Sequence, residues 1–239
     1  MKDTIIKSIL PYLKGAKYIG KGKTAYCFLM RDNKVLKLFY KSIETKNMFD
    51  YFRNPINHFY ELEKINNDTY IAPLELLIKD NELIGYIYDY IDGKTLKRVG
   101  LNFKIEELIE AYDRLEEDTR KISESKFALY DTHDKNIIFN GGFKVIDLDK
   151  GIFVDDEVEN IYKYNMSEIN QTIIHSIFNE SRNKMLEFRN QKLRKEYLET
   201  VYSDPLKMKD LLKDISNTYN KKYMLLLNKN DIIKSRNKY

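Results

Sequence analysis

Two aspartates and an asparagine near the middle of the chain have the types and the spacing that could perform catalysis. Asp131 and Asn136 lie five positions apart in a polar segment, and Asp147 follows a short apolar run beyond a turn at 140–142. A hairpin across that turn would bring Asn136 and Asp147 to the same end, where an amide oxygen and a carboxylate suit a hard cation such as Mg²⁺. Asp131 would lie beside them as a general base for a hydroxyl group. Taken alone, the same residues could simply be polar loop residues on either side of a hairpin.

A lysine and two glycines nearer the start of the chain could bind an anion. Lys37 stands between apolar residues in a predicted strand, and a lysine on an inward face needs an anionic partner. Gly20 and Gly22 lie between two predicted strands, where backbone N–H groups could approach phosphate oxygens. The alternatives are an exposed strand lysine and an ordinary tight turn. A Walker-type loop is excluded, because position 17 is Lys where that motif requires Gly.

The elements that must position these residues change in character near Asp92-Gly93. Before this point the pattern predicts a β-β-β-α-β-β order, after a short amphipathic helix within the first 15 residues. After it, apolar residues recur at helical spacing over 105–122, the hairpin follows, and the chain from about Ile161 onward is predicted to be helical. The sequence therefore predicts an α+β fold with two lobes, a strand-rich lobe over 1–91 and a helical lobe over 92–239.

Composition excludes several classes of protein. The 239-residue chain has a single cysteine, Cys27, which rules out a disulfide framework and a cysteine-based zinc site and fits a reducing compartment. It lacks the run of about 18 apolar residues that a membrane span requires. The first residues lack the pattern of a signal peptide. We therefore expect a cytoplasmic protein, or one delivered into the cytoplasm of another cell.

The formal charge of +4 is concentrated at the end of the chain. Residues 220–239 contain six basic residues and one acid, so this basic tail carries a charge of +5 and the rest of the chain about −1. The tail could contact an acidic partner, or it could be a solvated terminus. The rest of the sequence shows no basic patch interleaved with aromatic residues, and we therefore expect no nucleic-acid partner.

The order of these features resembles the signature set of protein kinases. In chain order, the features are a glycine-bearing hairpin, a strand lysine, a helix glutamate, a hinge, the motif D-x-x-x-x-N and the motif I-D. Together they cover about residues 18–153. The resemblance is to a compact, divergent protein-kinase-like phosphotransferase. It implies a two-lobed kinase-like fold, ATP and Mg²⁺ as cofactors, and transfer of the γ-phosphate to a hydroxyl group.

The resemblance assigns a role to each matched residue of the N-terminal lobe. Gly20 and Gly22 match the nucleotide loop, and Lys37 matches the lysine that holds the α- and β-phosphates. Glu61 best matches the helix glutamate that pairs with this lysine, with Glu63 as the rival. The backbone of the segment 89–91 matches the hinge that binds the adenine edge; its residues are Asp89, Tyr90 and Ile91.

In the C-terminal lobe, Asp131 matches the catalytic aspartate, and Asn136 and Asp147 match the two metal ligands. His133 stands where Ser/Thr kinases carry lysine, so that D-x-H-x-x-N resembles aminoglycoside and choline phosphotransferases. About forty residues separate the hinge from Asp131, a length that favours a protein Ser/Thr substrate over a small alcohol. A pseudokinase binding module is a third reading, disfavoured because the lysine, both aspartates and the asparagine are all present.

Two features of regulated kinases are missing from the sequence, which predicts that this protein needs no activating phosphorylation. Regulated kinases carry an arginine before the catalytic aspartate to clamp a phosphate, and Tyr130 stands there instead. The segment 148–164 contains no serine or threonine, and its four acids at 155–159 would repel an added phosphate. A switch at Tyr162 or Tyr164 is the alternative.

Overall fold

The computed structural model describes residues 1–40, 55–99, 105–179 and 201–217. This part of the chain is α+β, with a strand-rich N-terminal half and a helical C-terminal half, an arrangement compatible with two lobes. The basic tail at 220–239 lies outside the described residues. So do residues 41–54, which lead into the helix that the β-β-β-α-β-β pattern predicts up to Ile65.

Six strands form the N-terminal sheet in the spatial order β1-β5-β6-β4-β3-β2. The strands are β1 (Lys2–Ile5), β2 (Lys17–Lys21), β3 (Ala25–Leu29), β4 (Lys34–Phe39), β5 (Glu75–Lys79) and β6 (Glu82–Asp89). β1 runs parallel to β5, and the other neighbouring pairs are antiparallel. The five strands predicted from alternation and turn residues are confirmed.

The prediction of a helix across the first 15 residues was wrong at its beginning. Residues 2–5 form β1, and the helix α1 is confined to Leu10–Leu13. The backbone donors of β1 find acceptors on the neighbouring strand, as in the hydrogen bond from Lys2 N–H to the Leu74 carbonyl at 3.1 Å. Pairing with a distant strand thus overrides a weak local helical pattern in so short a segment.

Helices and short strands make up the remainder. The helices are α2 (Pro55–Glu61), which continues into a 3₁₀ turn (Leu62–Ile65), α3 (Leu96–Val99), α4 (Ile105–Glu124) and α5 (Val158–Asn179), with further helical residues at 201–202 and 205–217. The short strands are β7 (Lys94–Thr95), β8 (Phe127–Ala128), β9 (Ile137–Phe139), β10 (Phe143–Val145) and β11 (Ile152–Phe153). The hairpin β9–β10 and the amphipathic helix α4 confirm the sequence predictions.

The chain passes from one sheet to another near the predicted lobe boundary. It leaves the six-stranded sheet at Asp89 and enters the three-stranded sheet β10-β9-β7 at Lys94. Gly93 allows this close approach, because a Cβ there would lie 2.6 Å from Ile138 Cγ2.

The two faces of the N-terminal sheet pack against different parts of the chain. One face joins Leu36, Leu77 and Ile87 to the partly buried residues of α1. The other contributes Leu76 and Tyr86 to the main core, which also contains the buried faces of α4 and α5. Since side chains alternate along a strand, Lys37 points away from the Leu36 side and toward the C-terminal half.

Candidate active site

Lys37 connects the N-terminal sheet to the loop that follows β10. Its side chain is only 7% exposed. The Nζ atom donates to Asp147 Oδ1 and, at 2.7 Å, to Asp149 Oδ2. Asp147 has a left-handed φ of +67° and leads into a 3₁₀ turn at 148–150, which places both carboxylates beside the lysine. Two carboxylates therefore share one buried ammonium group.

Asp149 is a site residue that the sequence interpretation missed. Its side chain is 1% exposed, and its carbonyl oxygen accepts a hydrogen bond from His58 Nε2 at 3.2 Å. The second carboxylate oxygen, Oδ1, is buried and has no hydrogen-bond partner among the described residues. The sequence signal for Asp149 was the pair of acids in Asp147-Leu148-Asp149. Two acids directly after a buried strand are unusual, so both could have been considered as site residues.

Neither glutamate proposed as the partner of Lys37 makes that contact. Glu61 forms an ion pair with Lys64, with its own side chain 47% exposed, and Glu63 pairs with the amino group of Met1. The reason lies in the orientation of α2 and its 3₁₀ extension, which bury Phe59 and Leu62 in the core and leave the glutamates on the outer side. The Lys37–Glu61 pair expected from the resemblance is therefore absent from this structure, and Asp147 and Asp149 take its place.

The surroundings of Lys37 control its charge and that of its partners. Burial opposes the charged form of Lys37, but Asp147 and Asp149 outweigh it and raise the pKa well above its usual value. Burial also opposes ionisation of Asp147, yet Lys37 and Lys150 hold the pKa of Asp147 below its usual value. For the more enclosed Asp149, burial dominates and raises the pKa. Lys37 is thus the one lysine in contact with both carboxylates, and Lys150, whose charge also lowers their pKa values, is itself paired with Asp131.

Tyr86 covers this cluster from the central strand β6. The Lys37 Nζ atom lies 5.4 Å from the centre of the Tyr86 ring, a cation–π distance. The Tyr86 hydroxyl lies 3.4 Å from one oxygen of each aspartate. Burial, followed by the charge of Asp149, raises the pKa of Tyr86 well above its ordinary value, so the phenol stays neutral and donates.

Asp131 and Asn136 lie on the loop between β8 and β9. Asp131 has a left-handed φ of +59°, and its Oδ2 atom accepts a hydrogen bond from Lys150. The Asn136 side-chain amide donates to the Asp131 carbonyl at 3.3 Å, and the Asn136 carbonyl accepts from Ile146 N–H at 2.9 Å. The β9–β10 hairpin therefore brings Asn136 next to the residue that precedes Asp147, as the spacing predicted.

One shallow pocket, partly open to solvent, has Asp131, Asn136 and Asp147 in its wall. The helix α5 holds the loop on this wall at two points. Asn165 accepts from Leu129 N–H at 2.8 Å, and the Thr172 hydroxyl donates to the Thr132 carbonyl at 3.2 Å. These bonds flank Asp131 on both sides, so the carboxylate is carried by a loop fixed at both ends.

The two predicted nucleotide-loop glycines lie at the turn between β2 and β3. Gly20 is opposite Cys27 in the ladder, and Gly22 N–H donates to the Ala25 carbonyl at 2.9 Å. A Cβ on either glycine would meet nothing within 4 Å. Neither glycine is required by packing, and the space beside the backbone is open to a ligand.

The predicted adenine-binding segment follows β6. Asp89 lies opposite Lys34 in the β4–β6 ladder, and Tyr90 N–H donates to the Asn33 carbonyl at 3.0 Å. The Tyr90 amide is therefore already engaged, so adenine recognition at 89–91 would use another backbone group of the segment, such as one on Ile91.

Cys27 lies directly opposite Lys37 in the β3–β4 ladder. Burial raises the pKa of its thiol to about 11, and the lysine only partly counteracts this effect. A thiol that stays protonated is a poor nucleophile, so Cys27 lines the site without adding covalent chemistry.

The oxygen atoms of the site fit a hard divalent cation. Asp147 and Asp149 offer carboxylates, and the Asn136 amide oxygen accepts no hydrogen bond from the described residues. Within residues 1–40, 55–99, 105–179 and 201–217, no three histidine, cysteine or acidic side chains form a cluster that could hold a metal by itself. Two carboxylates and an amide match Mg²⁺, which commonly takes its other ligands from phosphate oxygens and water.

Comparison of the sequence with family models and with curated proteins gives no match. No model of a known protein family matches the chain, and no curated protein is similar to it in sequence. Among the helices of the described segments, none is both long enough and apolar enough to cross a membrane. The case for a function therefore rests on the geometry of this site.

Proposed function

We propose that the protein is an ATP-dependent phosphotransferase that moves the γ-phosphate to a hydroxyl group. One observation carries the proposal. Lys37, on a strand of the N-terminal sheet, contacts Asp147, and Asp147 shares a pocket wall with Asp131 and Asn136. These residues come from three separate segments, and a lysine, a metal-binding pair and a base are the parts that such a transfer requires.

Asp131 acts as the base toward the acceptor. Its carboxylate accepts the proton of the hydroxyl group while the hydroxyl oxygen forms a bond to the γ-phosphorus and the bond to the β-phosphate oxygen breaks. The proton then passes from Asp131 to solvent, because the side chain is partly exposed. Lys150 holds one oxygen of the carboxylate, which fixes the direction of the other.

Lys37 and the acids beside it serve the nucleotide. The lysine amine supplies positive charge to the phosphates, and Asp147 and Asn136 are the residues that would hold Mg²⁺. When bound, this ion neutralises phosphate charge in the transition state. The open space beside Gly20 and Gly22 leaves the turn accessible to phosphates, which is where the resemblance places them.

We propose a protein serine or threonine as the acceptor, in a kinase of atypical, minimal type. The short connection between Asp89 and the catalytic loop supports this choice, because α3 and α4 are the described helices between them and provide little extra wall for a small substrate. A small alcohol is the alternative acceptor, favoured by His133 in the catalytic loop, and a pseudokinase binding module would transfer nothing. We propose that the basic tail at 220–239, which carries a charge of +5, contacts an acidic partner protein.

The direct test is transfer from labelled ATP. The full chain is incubated with Mg²⁺ and γ-labelled ATP, and the label is measured on the chain itself, on generic protein substrates and on small alcohols. Label on protein supports a protein kinase, and label on alcohols supports the alternative. A parallel reaction with α-labelled ATP detects transfer of AMP, which would replace the proposal with nucleotidyl transfer.

Variants of the same loop and strand control this experiment. Lys37→Met removes the phosphate-binding amine and should abolish transfer. Asp134→Asn makes the same chemical change as Asp131→Asn in the same loop, but the Asp134 carboxylate makes no hydrogen bond or ion pair with the residues that the structure describes. Activity lost equally in both asparagine variants would indicate damage to the loop and would contradict the role given to Asp131.

A further inference from the structure

The cluster around Lys37 has an unbalanced charge. One ammonium group faces two carboxylates, and Asp149 is 1% exposed. The buried Asp149 Oδ1 atom also has no hydrogen-bond partner among the described residues. A buried carboxylate without full compensation is strongly unfavourable, so a second acid here requires a reason beyond packing.

The two carboxylates are already arranged around a cation. Lys37 Nζ contacts Asp147 Oδ1 and lies 2.7 Å from Asp149 Oδ2, so one positive centre joins the two side chains. The Asp147 side chain is one-third exposed and lines the pocket, whereas the Asp149 side chain is buried and does not line it. A cation entering from the pocket would meet Asp147 first and Asp149 next, with the lysine in its path.

We propose that Asp147 and Asp149 together form a divalent-cation site, and that Lys37 is the counter-ion of this site when no metal is bound. A divalent cation would neutralise both carboxylates, whereas the lysine neutralises one. Metal binding would therefore release the Lys37 amine, which is free to turn to another anion. The use of the released amine for nucleotide phosphates rests on the proposed function.

The competing explanation is that Asp149 only orients Lys37. In that case Asp149 substitutes for the glutamate expected from α2, and its removal would misdirect the lysine without changing affinity for a metal. The two explanations differ most clearly in what the loss of Lys37 does. A counter-ion competes with the metal, so that removing it strengthens metal binding, whereas a lysine with no part in the metal site has no such effect.

The test measures binding of Mn²⁺ to the nucleotide-free full chain. Free Mn²⁺ is quantified by its electron paramagnetic resonance signal, and thermal unfolding is followed with and without the ion. We expect Asp149→Asn to weaken Mn²⁺ binding by about tenfold or more. We expect Lys37→Met to strengthen it by a similar factor and to show a larger rise in melting temperature on adding Mn²⁺ than the wild type.

Two further variants keep the test decisive. If Lys37→Met does not fold without metal, the double variant Lys37→Met/Asp149→Asn, which loses one charge of each sign, should fold and bind Mn²⁺ about tenfold more tightly than Asp149→Asn alone, close to the wild type. Asp134→Asn controls for loss of an acid outside the site. Affinity that is unchanged in Asp149→Asn, or not increased in Lys37→Met, would overturn the proposal. Mn²⁺ binding as expected in a chain that transfers no phosphate would instead uphold the cation site and contradict the proposed function.

Discussion

Two lysine–carboxylate contacts border the same pocket and differ in how far water reaches them. The side chains of Lys37 and Asp149 are 7% and 1% exposed, whereas those of Lys150 and Asp131 are 27% and 34% exposed. Charges in a low-dielectric interior interact strongly and are unfavourable when unpaired, whereas partly exposed pairs contribute little to stability. The Lys37 cluster is therefore tied to the fold, and the Lys150–Asp131 pair can open when a substrate arrives.

The difference in exposure indicates that the Lys37 cluster and the Lys150–Asp131 pair have separate roles. The buried cluster joins the sheet to the C-terminal half and holds in position Lys37, the lysine that we propose binds the nucleotide phosphates. The partly exposed pair lies on a loop that α5 fixes at both ends, so its carboxylate can exchange one partner for another without disturbing the fold. Variants in the buried cluster should affect stability and activity together, and those in the partly exposed pair should affect activity alone.

The largest expected effect is on the rate of transfer in Asp131→Asn. Loss of the base should lower the rate by about 10²–10⁴, because the hydroxyl proton has no acceptor. Nucleotide binding and the melting temperature should remain close to those of the wild type, since the side chain is partly exposed. Single-turnover kinetics and calorimetric nucleotide titration measure the two quantities. Full turnover in this variant would remove Asp131 from the mechanism.

The second effect is on stability and compares the two lysines directly. Lys37→Met leaves the buried Asp149 and the partly exposed Asp147 without their counter-ion and should lower the free energy of unfolding by about 3–5 kcal/mol. Lys150→Met removes only a partly exposed pair and should lower it by less than about 1 kcal/mol. Urea denaturation of both variants in metal-free buffer measures the difference. Equal destabilisation would show that burial does not separate the two contacts.

A smaller effect is expected at the two glutamates that the resemblance favoured. Glu61→Gln and Glu63→Gln should each change the rate of transfer by less than about twofold, because Glu61 pairs with Lys64 and Glu63 with the amino group of Met1, and neither contacts Lys37. Initial rates at saturating ATP provide the measurement, and Asp149→Asn serves as the positive comparison. A strong loss in Glu61→Gln alone would indicate that the helix glutamate reaches Lys37 in the working enzyme.

No effect at all is expected from removing phosphate. The Tyr162 hydroxyl contacts Glu116 at 3.3 Å, and the side chain is 3% exposed, so modification there would require local unfolding. Tyr164 is 42% exposed and remains the only tyrosine of the segment 148–164 that a modifying enzyme could reach. Phosphatase-treated protein, checked by mass spectrometry, should reach its full initial rate without a lag. A rate that rises as Tyr164 gains phosphate would contradict this expectation.

The sequence alone determined most of the strands, the β9–β10 hairpin and the set of candidate site residues. Alternation and turn residues predicted the strands that carry Lys37 and the β9–β10 hairpin, because both patterns repeat over a few residues and depend little on the rest of the chain. The same hairpin reasoning placed Asn136 next to the segment that ends in Asp147. The amphipathic helix α4 was also predictable, since its apolar face extends over five turns.

Only the tertiary structure determined which acid meets which lysine. Asp147 and Asp149 are more than a hundred positions from Lys37 along the chain, whereas Glu61 is much nearer and was the expected partner. The pairing depends on how α2 and the 148–150 turn pack against the sheet, and no periodicity in the sequence records those orientations. The same holds for β1, whose partner strand lies some seventy residues away. Ion pairs and edge pairings are properties of packed surfaces, so they become known only when the surfaces are brought together.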